Sequence, residues 1–167
     1  MSFDLPLFLP YLLNRAAETA SEEFQAQYRS RYGMLRTEWR VLFHLGCYGE
    51  LTAKEICTAA SIHKTKVSRA VRALERKRYL TRRQDTVDRR NEWLSLTRAG
   101  HAVFDDLSKA AERYEARLLD GFSPEDVSRL RDTLMKLARI DKEKPRPLAS
   151  NAPGASLNPA GSLFDET

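Results

Sequence analysis

Eleven lysines and arginines fall within residues 64–90: Lys64, Lys66, Arg69, Arg72, Arg76, Lys77, Arg78, Arg82, Arg83, Arg89 and Arg90. The same stretch holds three acids, Glu75, Asp85 and Asp88, so it carries +8 while the rest of the 167-residue chain carries −3 of the net +5. Solubility alone does not demand charge confined to one stretch. Cations gathered on one element are the electrostatic footprint of a site for a polyanion. The bland alternative is a solvated helix face, and the pattern of apolar residues separates the two.

In HKTKVSRAVRALERKR, Val67, Ala70 or Val71, and Leu74 recur three to four residues apart. They predict a helix with one narrow buried stripe. Thr65, Lys66, Ser68, Arg69, Arg72 and Arg76 occupy the rest of its circumference. YLTRR and EWLSLT follow, each with strand-like alternation. QDTVDRRN lies between them, rich in turn formers, with Asp85 and Asp88 suited to turn positions. A β-hairpin with a basic tip is expected. A groove-sized helix beside such a hairpin suits duplex DNA: side chains on the helix reach base edges in the major groove. An arginine at the hairpin tip fits the adjacent minor groove, where negative potential rises as the groove narrows. Small hydroxyls such as Thr65 and Ser68 allow close approach to phosphate.

Other elements must hold this pair in place. Leu13, Ala17, Ala20, Phe24 and Tyr28 share one face of a helix expected over 10–31, ended by Gly33. Thr37 is positioned to cap a second helix carrying Val41, Leu42 and Leu45, with Gly46 closing it. Thr52 and Glu55 form a T-x-x-E capping box for a third, in which Ile56 and Ala59 or Ala60 face inward. After the hairpin, Thr97 begins a long helix to about Leu119, with Val103, Leu107, Ala110 or Ala111, Tyr114 and Leu118 at helical steps. Gly121 breaks it, and Ser123, Pro124 and Asp126 start a last helix marked by Val127, Leu130, Leu134 and Leu137. Residues 144–167 carry Pro145, Pro147, Pro153 and Pro159 among Gly, Ser and Asn, and read as a disordered tail.

The order LTAKEICTAA–SIHKTKVSRAVRALERKRYLTRRQDTVDRRNEWLSLTRAGH resembles the MarR family of bacterial transcription regulators. Its most specific part is D-x-R at Asp88-Arg89-Arg90, then a second wing strand ending in L-S-L-T and a helix with Gly100. The resemblance covers about residues 10–140 and implies a mainly α, winged helix-turn-helix fold. That fold has six helices, a two- or three-stranded wing, and a helical dimerisation region from both termini. The implied division is a winged-helix DNA-binding lobe at 35–97 and dimerisation helices at 10–34 and 98–143, after an apolar arm at 1–9. By resemblance Arg90 matches the wing arginine, Asp88 the acid that orients it, and Thr65, Lys66, Ser68, Arg69 and Arg72 the recognition positions. Arg89 belongs to the same basic tip. The family usually has Gly where Arg78 stands, before Tyr79 and Leu80. If the backbone there is left-handed, a non-glycine costs on the order of 1 kcal/mol. Either the turn differs, or Arg78 compensates by touching phosphate; we take the second as the expectation.

Phe3, Leu5, Leu7, Phe8 and Leu9 have no evident place inside one small domain. Left exposed they form an apolar patch, and a second copy of the chain is the expected cover, with packing on the chain's own helix as the alternative. A twofold dimer places two recognition helices about 34 Å apart, matching a near-palindromic operator. Family members often bind small aromatic or phenolic anions between the dimer region and the DNA-binding lobe. Here Arg15, Trp39, Arg40, Phe43 and His44 supply aromatic and cationic groups from the first two helices, with plain core packing as the alternative for Trp39 and Phe43.

The remaining chemistry is sparse. His44 and Cys47 give H-x-x-C on one helical face, but no second pair has zinc-like spacing, so no metal is expected. Cys47 raises a redox-responsive reading; Cys57 reads as a buried, inert thiol. Motifs such as G-x-S-x-G, H-E-x-x-H or a Gly-rich phosphate loop are missing from the sequence, so no enzyme and no cofactor are expected. The opening MSFDLPLFLP lacks a basic leader and is cut by Pro6 and Pro10, which argues against a signal peptide and for a cytoplasmic protein. The reading is thus a sequence-specific, homodimeric DNA-binding transcription regulator, a repressor relieved by a small ligand. A sequence-indifferent architectural DNA binder is the rival.

Overall fold

The computed structural model describes residues 3–86 and 92–140. After a single 3-10 turn at Leu5–Leu7 come α1 (Leu9–Tyr32), α2 (Arg36–Tyr48), β1 (Leu51–Thr52), α3 (Ala53–Ala60), α4 (Lys64–Arg76), β2 (Leu80–Gln84), β3 (Glu92–Leu96), α5 (Arg98–Leu118) and α6 (Pro124–Leu137). The fold is mainly helical with one antiparallel sheet ordered β1-β3-β2. The wing is therefore three-stranded. Its outer strand pairs Leu51 with Leu94, while Leu80 pairs with Leu96 and Gln84 with Glu92 across the hairpin. A two-residue strand carries too little pattern to be legible beforehand.

The capping box forms as expected. The Thr52 hydroxyl accepts from the Glu55 N–H, and Glu55 accepts from the Thr52 N–H at 2.7 Å. On α3, Ile56 and Ala60 are buried while Ala59 is exposed, and Cys57 is half-buried against the core. On α4, both Ala70 and Val71 join Val67 and Leu74 inside.

Two expectations about α2 need correction. Thr37 is not its cap: the helix starts from Leu35, whose side chain accepts no hydrogen bond from the first turn. Gly46 does not end it either. The helix runs on to Tyr48 and stops at Gly49, where φ is +79°. Gly46 is instead a packing position, because a Cβ there would lie 2.3 Å from the ring of Phe104 on α5. A glycine placed for close approach and one placed for a turn look alike in sequence.

The core joins the two halves. Phe24 and Tyr28 of α1, Val41, Leu42 and Leu45 of α2, and Val103 and Leu107 of α5 are buried in one cluster with the α3, α4 and β-strand residues. The apolar stripe of α1 is buried only toward its C-terminal end: Ala17 is exposed and Leu13 half-buried. Helix α6 has no buried residue at all. Its Leu130, Leu134 and Leu137 are exposed, as are Phe3, Leu7, Phe8, Leu12, Leu118 and Phe122, with Phe3 at 70% and Phe122 at 59%. The alternative in which the arm covers its own chain is thus not met among the described residues.

Candidate nucleic-acid interface

The buried stripe of α4 fixes which way its polar residues point. With Val67, Ala70, Val71 and Leu74 packed inward, Thr65, Lys66, Ser68, Arg69, Arg72 and Arg76 are all exposed on the other faces. His63 caps the helix: its Nδ1 accepts from the Thr65 N–H at 3.3 Å. An imidazole just before a helix start was visible in the sequence and its capping role was missed. A groove of about 720 Å³ runs along α4 beside the start of α2, with Lys66, Arg69, Arg72 and Arg76 on its walls.

Helix α4 ends in a left-handed turn. The Arg78 N–H donates to the Glu75 carbonyl and the Tyr79 N–H to the Leu74 carbonyl, with Arg78 at φ +60°. This is a Schellman-type stop at a position where glycine is favoured. The condition attached to Arg78 is met, and its side chain is exposed.

The turn is clamped to α5. The Thr97 hydroxyl accepts from the Gly100 N–H at 3.0 Å and donates to the Arg78 carbonyl at 2.7 Å. The Thr97 N–H donates to the Tyr79 carbonyl at 3.0 Å. A Cβ on Gly100 would fall 1.9 Å from that same carbonyl oxygen. Thr97 and Gly100 of the L-S-L-T-x-x-G stretch thus hold the junction between recognition helix, wing and long helix.

A second clamp holds the end of α4. Lys77 Nζ donates to the Gly33 carbonyl at 2.6 Å and to Glu38 Oε2 at 2.8 Å. Glu38 is 6% exposed, the one buried charged residue among those described. Lys77 thereby ties the end of α4 to the α1–α2 junction. Nearby, Asp106 of α5 accepts from the Tyr32 hydroxyl and from Arg31, each at 2.6 Å. The Tyr32 hydrogen bond, with Arg31 beside it, holds the Asp106 carboxyl below its ordinary range.

On the wing, not every cation is available to a ligand. Arg82 pairs with Glu75 at 2.9 Å and Glu92 at 3.0 Å, and Arg83 pairs with Glu50 at 3.0 Å. These pairs brace the hairpin against its neighbours. The Trp93 indole N–H donates to Asp85 at 2.9 Å, giving that turn acid a structural task. Asp88, Arg89 and Arg90 at the tip lie outside the described residues, as does the tail from residue 141.

The five residues expected around an effector do not converge. Trp39 stacks on Tyr28 with centroids 5.5 Å apart, and Phe43 packs behind it, between Trp39 and Phe104. Arg40 turns the other way and donates to the Ala60 carbonyl. The His44 ring bonds to the Arg40 carbonyl at 2.7 Å and packs near Tyr48, and Arg15 is exposed on α1. Of the five, only Trp39 lines the cavity of about 310 Å³ between α1, α2 and α5, whose other walls include Phe24, Tyr28, Tyr114 and Arg36. The Trp39 N–H is buried with no acceptor among the described residues. Arg36 was missed because only the tertiary fold sets α2's first turn against α1 and α5.

Among the described residues no group of three or more His, Cys, Asp and Glu is placed to hold a metal. No helix there is long and apolar enough to cross a membrane. Cys47 is exposed, and partial desolvation by its surroundings pushes its thiol pKa up, which lowers the fraction of thiolate, the reactive form a redox switch uses.

Comparison with known proteins agrees with this geometry. The family model described as "MarR family" matches residues 32–91. The HTH-type transcriptional regulator YwaE of Bacillus subtilis strain 168 is 25% identical over 126 residues, spanning 75% of this chain and 74% of that protein. The MarR family transcriptional regulator SPO1453 of Silicibacter pomeroyi DSS-3 superposes with a TM-score of 0.72 at 26% identity, covering 83% of this chain and 98% of that one. BpsR of Bordetella bronchiseptica, whose DNA binding is regulated by 6-hydroxynicotinic acid, shares the fold with a TM-score of 0.76 at 21% identity, over 84% of this chain and 100% of that one. These relatives are transcription regulators and not enzymes. With its six helices, three-stranded wing and cation-faced fourth helix, the chain has a winged helix-turn-helix fold and is similar, over residues 32–91, to the MarR family of transcription regulators.

Proposed function

We propose that the protein is a homodimeric repressor of the cytoplasm that reads a near-palindromic operator and releases it on binding a small aromatic anion. The observation that carries the DNA reading is the arrangement of α4. Its apolar stripe is buried, and Thr65, Lys66, Ser68, Arg69 and Arg72 stand exposed beside a basic groove. In this reading these residues meet bases and phosphates in the major groove, and Arg78 meets backbone phosphate. Arg89 and Arg90, oriented by Asp88, enter the minor groove. The dimer joins residues 1–9, 10–34 and 98–143 of two copies, leaving 35–97 as the reading lobe. Its support is the exposed apolar surface at both chain ends, together with an α6 that buries nothing in its own chain.

The effector reading rests on the cavity between α1, α2 and α5. It is walled by aromatic rings, with Arg36 as its cation and, in Trp39, a buried N–H that has no acceptor among the described residues. It lies between the helices assigned to the dimer and the lobe assigned to DNA, where a ligand favouring one arrangement would shift the spacing of the two recognition helices. BpsR answers to an aromatic acid, which fits the chemistry of such walls.

The test is selection of bound fragments from the source genome, with random DNA as competitor. Enrichment of a two-half-site sequence supports the reading, and binding without preference favours the architectural rival. On the selected site, Arg90→Ala is expected to cost about 1–3 kcal/mol. Sedimentation of the free protein as a monomer would sink the dimer.

A further inference from the structure

A smaller concavity of about 240 Å³ opens at the N-terminal end of α4. Arg36, Thr37 and Arg40 line it from α2, Ser61 and His63 from the turn after α3, and Lys66 from α4. Three permanent cations and an imidazole face one cavity with no carboxylate in its lining. Glu18, which pairs with Arg36 at 3.5 Å, is not part of that wall. Arg40 is held in place by its bond to the Ala60 carbonyl. Burial, and then the like charge of Arg36, lower the pKa of Arg40.

The supply of hydrogen-bond donors is equally one-sided. Because His63 Nδ1 accepts from the Thr65 N–H, the neutral ring carries its proton on Nε2, a donor. Ser61 and Thr37 add hydroxyls. The first turn of α2 receives no side-chain cap from Leu35, which leaves its N–H groups without a capping side chain. Several donors around a small cationic hollow match a tetrahedral oxyanion. The hollow also shares Thr37 and Lys66 with the larger basic groove along α4. It is therefore the head of that groove.

We propose that Arg36, Arg40, His63 and Lys66 seat one phosphate of the DNA backbone, fixing the strand at the N-terminal end of the recognition helix. The inference rests on the DNA-binding reading and adds to it a contact from α2, outside the recognition helix and the wing. A backbone contact positions the protein and carries no sequence preference of its own. A free phosphate-bearing metabolite offers the same group, and the experiment separates the two sources.

The experiment measures DNA affinity of the full chain and of Arg36→Gln, Arg40→Gln and Arg40→Lys between about 50 and 200 mM salt. The glutamine variants should lower the log–log salt slope by about 0.9, the value of one phosphate, and weaken operator and random DNA by the same factor. Arg40→Lys, which keeps the charge, should retain most of the slope. Unchanged slopes in both glutamine variants, with the parent binding normally, overturn the cavity assignment alone. A parent that binds no DNA at low salt overturns the DNA-binding reading itself. In a parallel thermal-shift arm without DNA, millimolar inorganic phosphate should leave the parent's melting temperature where it was. A rise that disappears in Arg40→Gln, whose residue lines this hollow and not the effector cavity, assigns the hollow to free phosphate and overturns the backbone proposal. Circular dichroism of Arg36→Gln, altered at an exposed first-turn position, confirms that any change in slope is read from a folded protein.

Discussion

Gly100→Ala separates local propensity from tertiary packing. Gly100 is the third residue of α5, where alanine is normally favoured over glycine by about 1 kcal/mol. The fold reverses that sign. The new Cβ would sit 1.9 Å from the Tyr79 carbonyl oxygen and 2.9 Å from the Tyr79 carbonyl carbon. An ordinary C···O approach is about 3.3–3.6 Å, so backbone must retreat by roughly 1.5 Å. The obstacle is backbone on both sides and cannot swing aside as a side chain would. Retreat stretches the Thr97 N–H bond to Tyr79 and the Thr97 hydroxyl bond to Arg78. Two lost hydrogen bonds at about 1 kcal/mol each, plus about 1–3 kcal/mol of overpacking, outweigh the propensity gain. The net expectation is a loss of about 2–4 kcal/mol, or roughly 5–12 °C in melting temperature. Urea unfolding at a fixed protein concentration gives the number, with an unchanged m-value confirming a stability effect. DNA affinity should fall as well, because the displaced segment carries Arg78 and leads into the wing. A Gly100→Ala protein as stable as the parent, or more so, would refute the reasoning.

Three other perturbations follow from the same geometry. Arg78→Gly relieves the left-handed strain at φ +60° and should raise the melting temperature by about 2–3 °C, while weakening DNA binding through loss of a phosphate contact; unchanged affinity would rule out the contact. Lys77→Met strands the buried Glu38 carboxylate and should cost about 3 kcal/mol, whereas Glu38→Gln should cost about 1 kcal/mol because Lys77 keeps the Gly33 carbonyl; equal losses in denaturant titrations would contradict the asymmetry. The folded-state pKa of Asp106 is depressed by Tyr32 and Arg31, so its stabilising effect is present above the unfolded value near 3.8 and is lost as pH falls through the lower folded value. Thermal unfolding of Asp106→Asn between about pH 6 and pH 2 should show a shallower acid decline than the parent; parallel curves would exclude the contribution.

Some of this was written along the chain, because it depends on neighbours a few residues apart. The stripe Val67, Ala70, Val71, Leu74 specified which face of α4 is buried, and so left Lys66, Arg69 and Arg72 outside. The Thr52–Glu55 and Ser123–Asp126 caps are three-residue devices and formed as read. What failed to show was set by residues distant in sequence. Gly46 is small because of Phe104, and Gly100 because of the Tyr79 carbonyl. Arg40, expected at an effector, is drawn to Ala60, while Arg36 takes its place beside Trp39. Periodicity fixes the direction of a side chain about its own helix axis. Only the packing of one element on another decides what that side chain meets, and so the sequence determined a cationic reading helix with its wing, while tertiary structure decided which cations are spent on internal carboxylates and which line the hollows left for ligands.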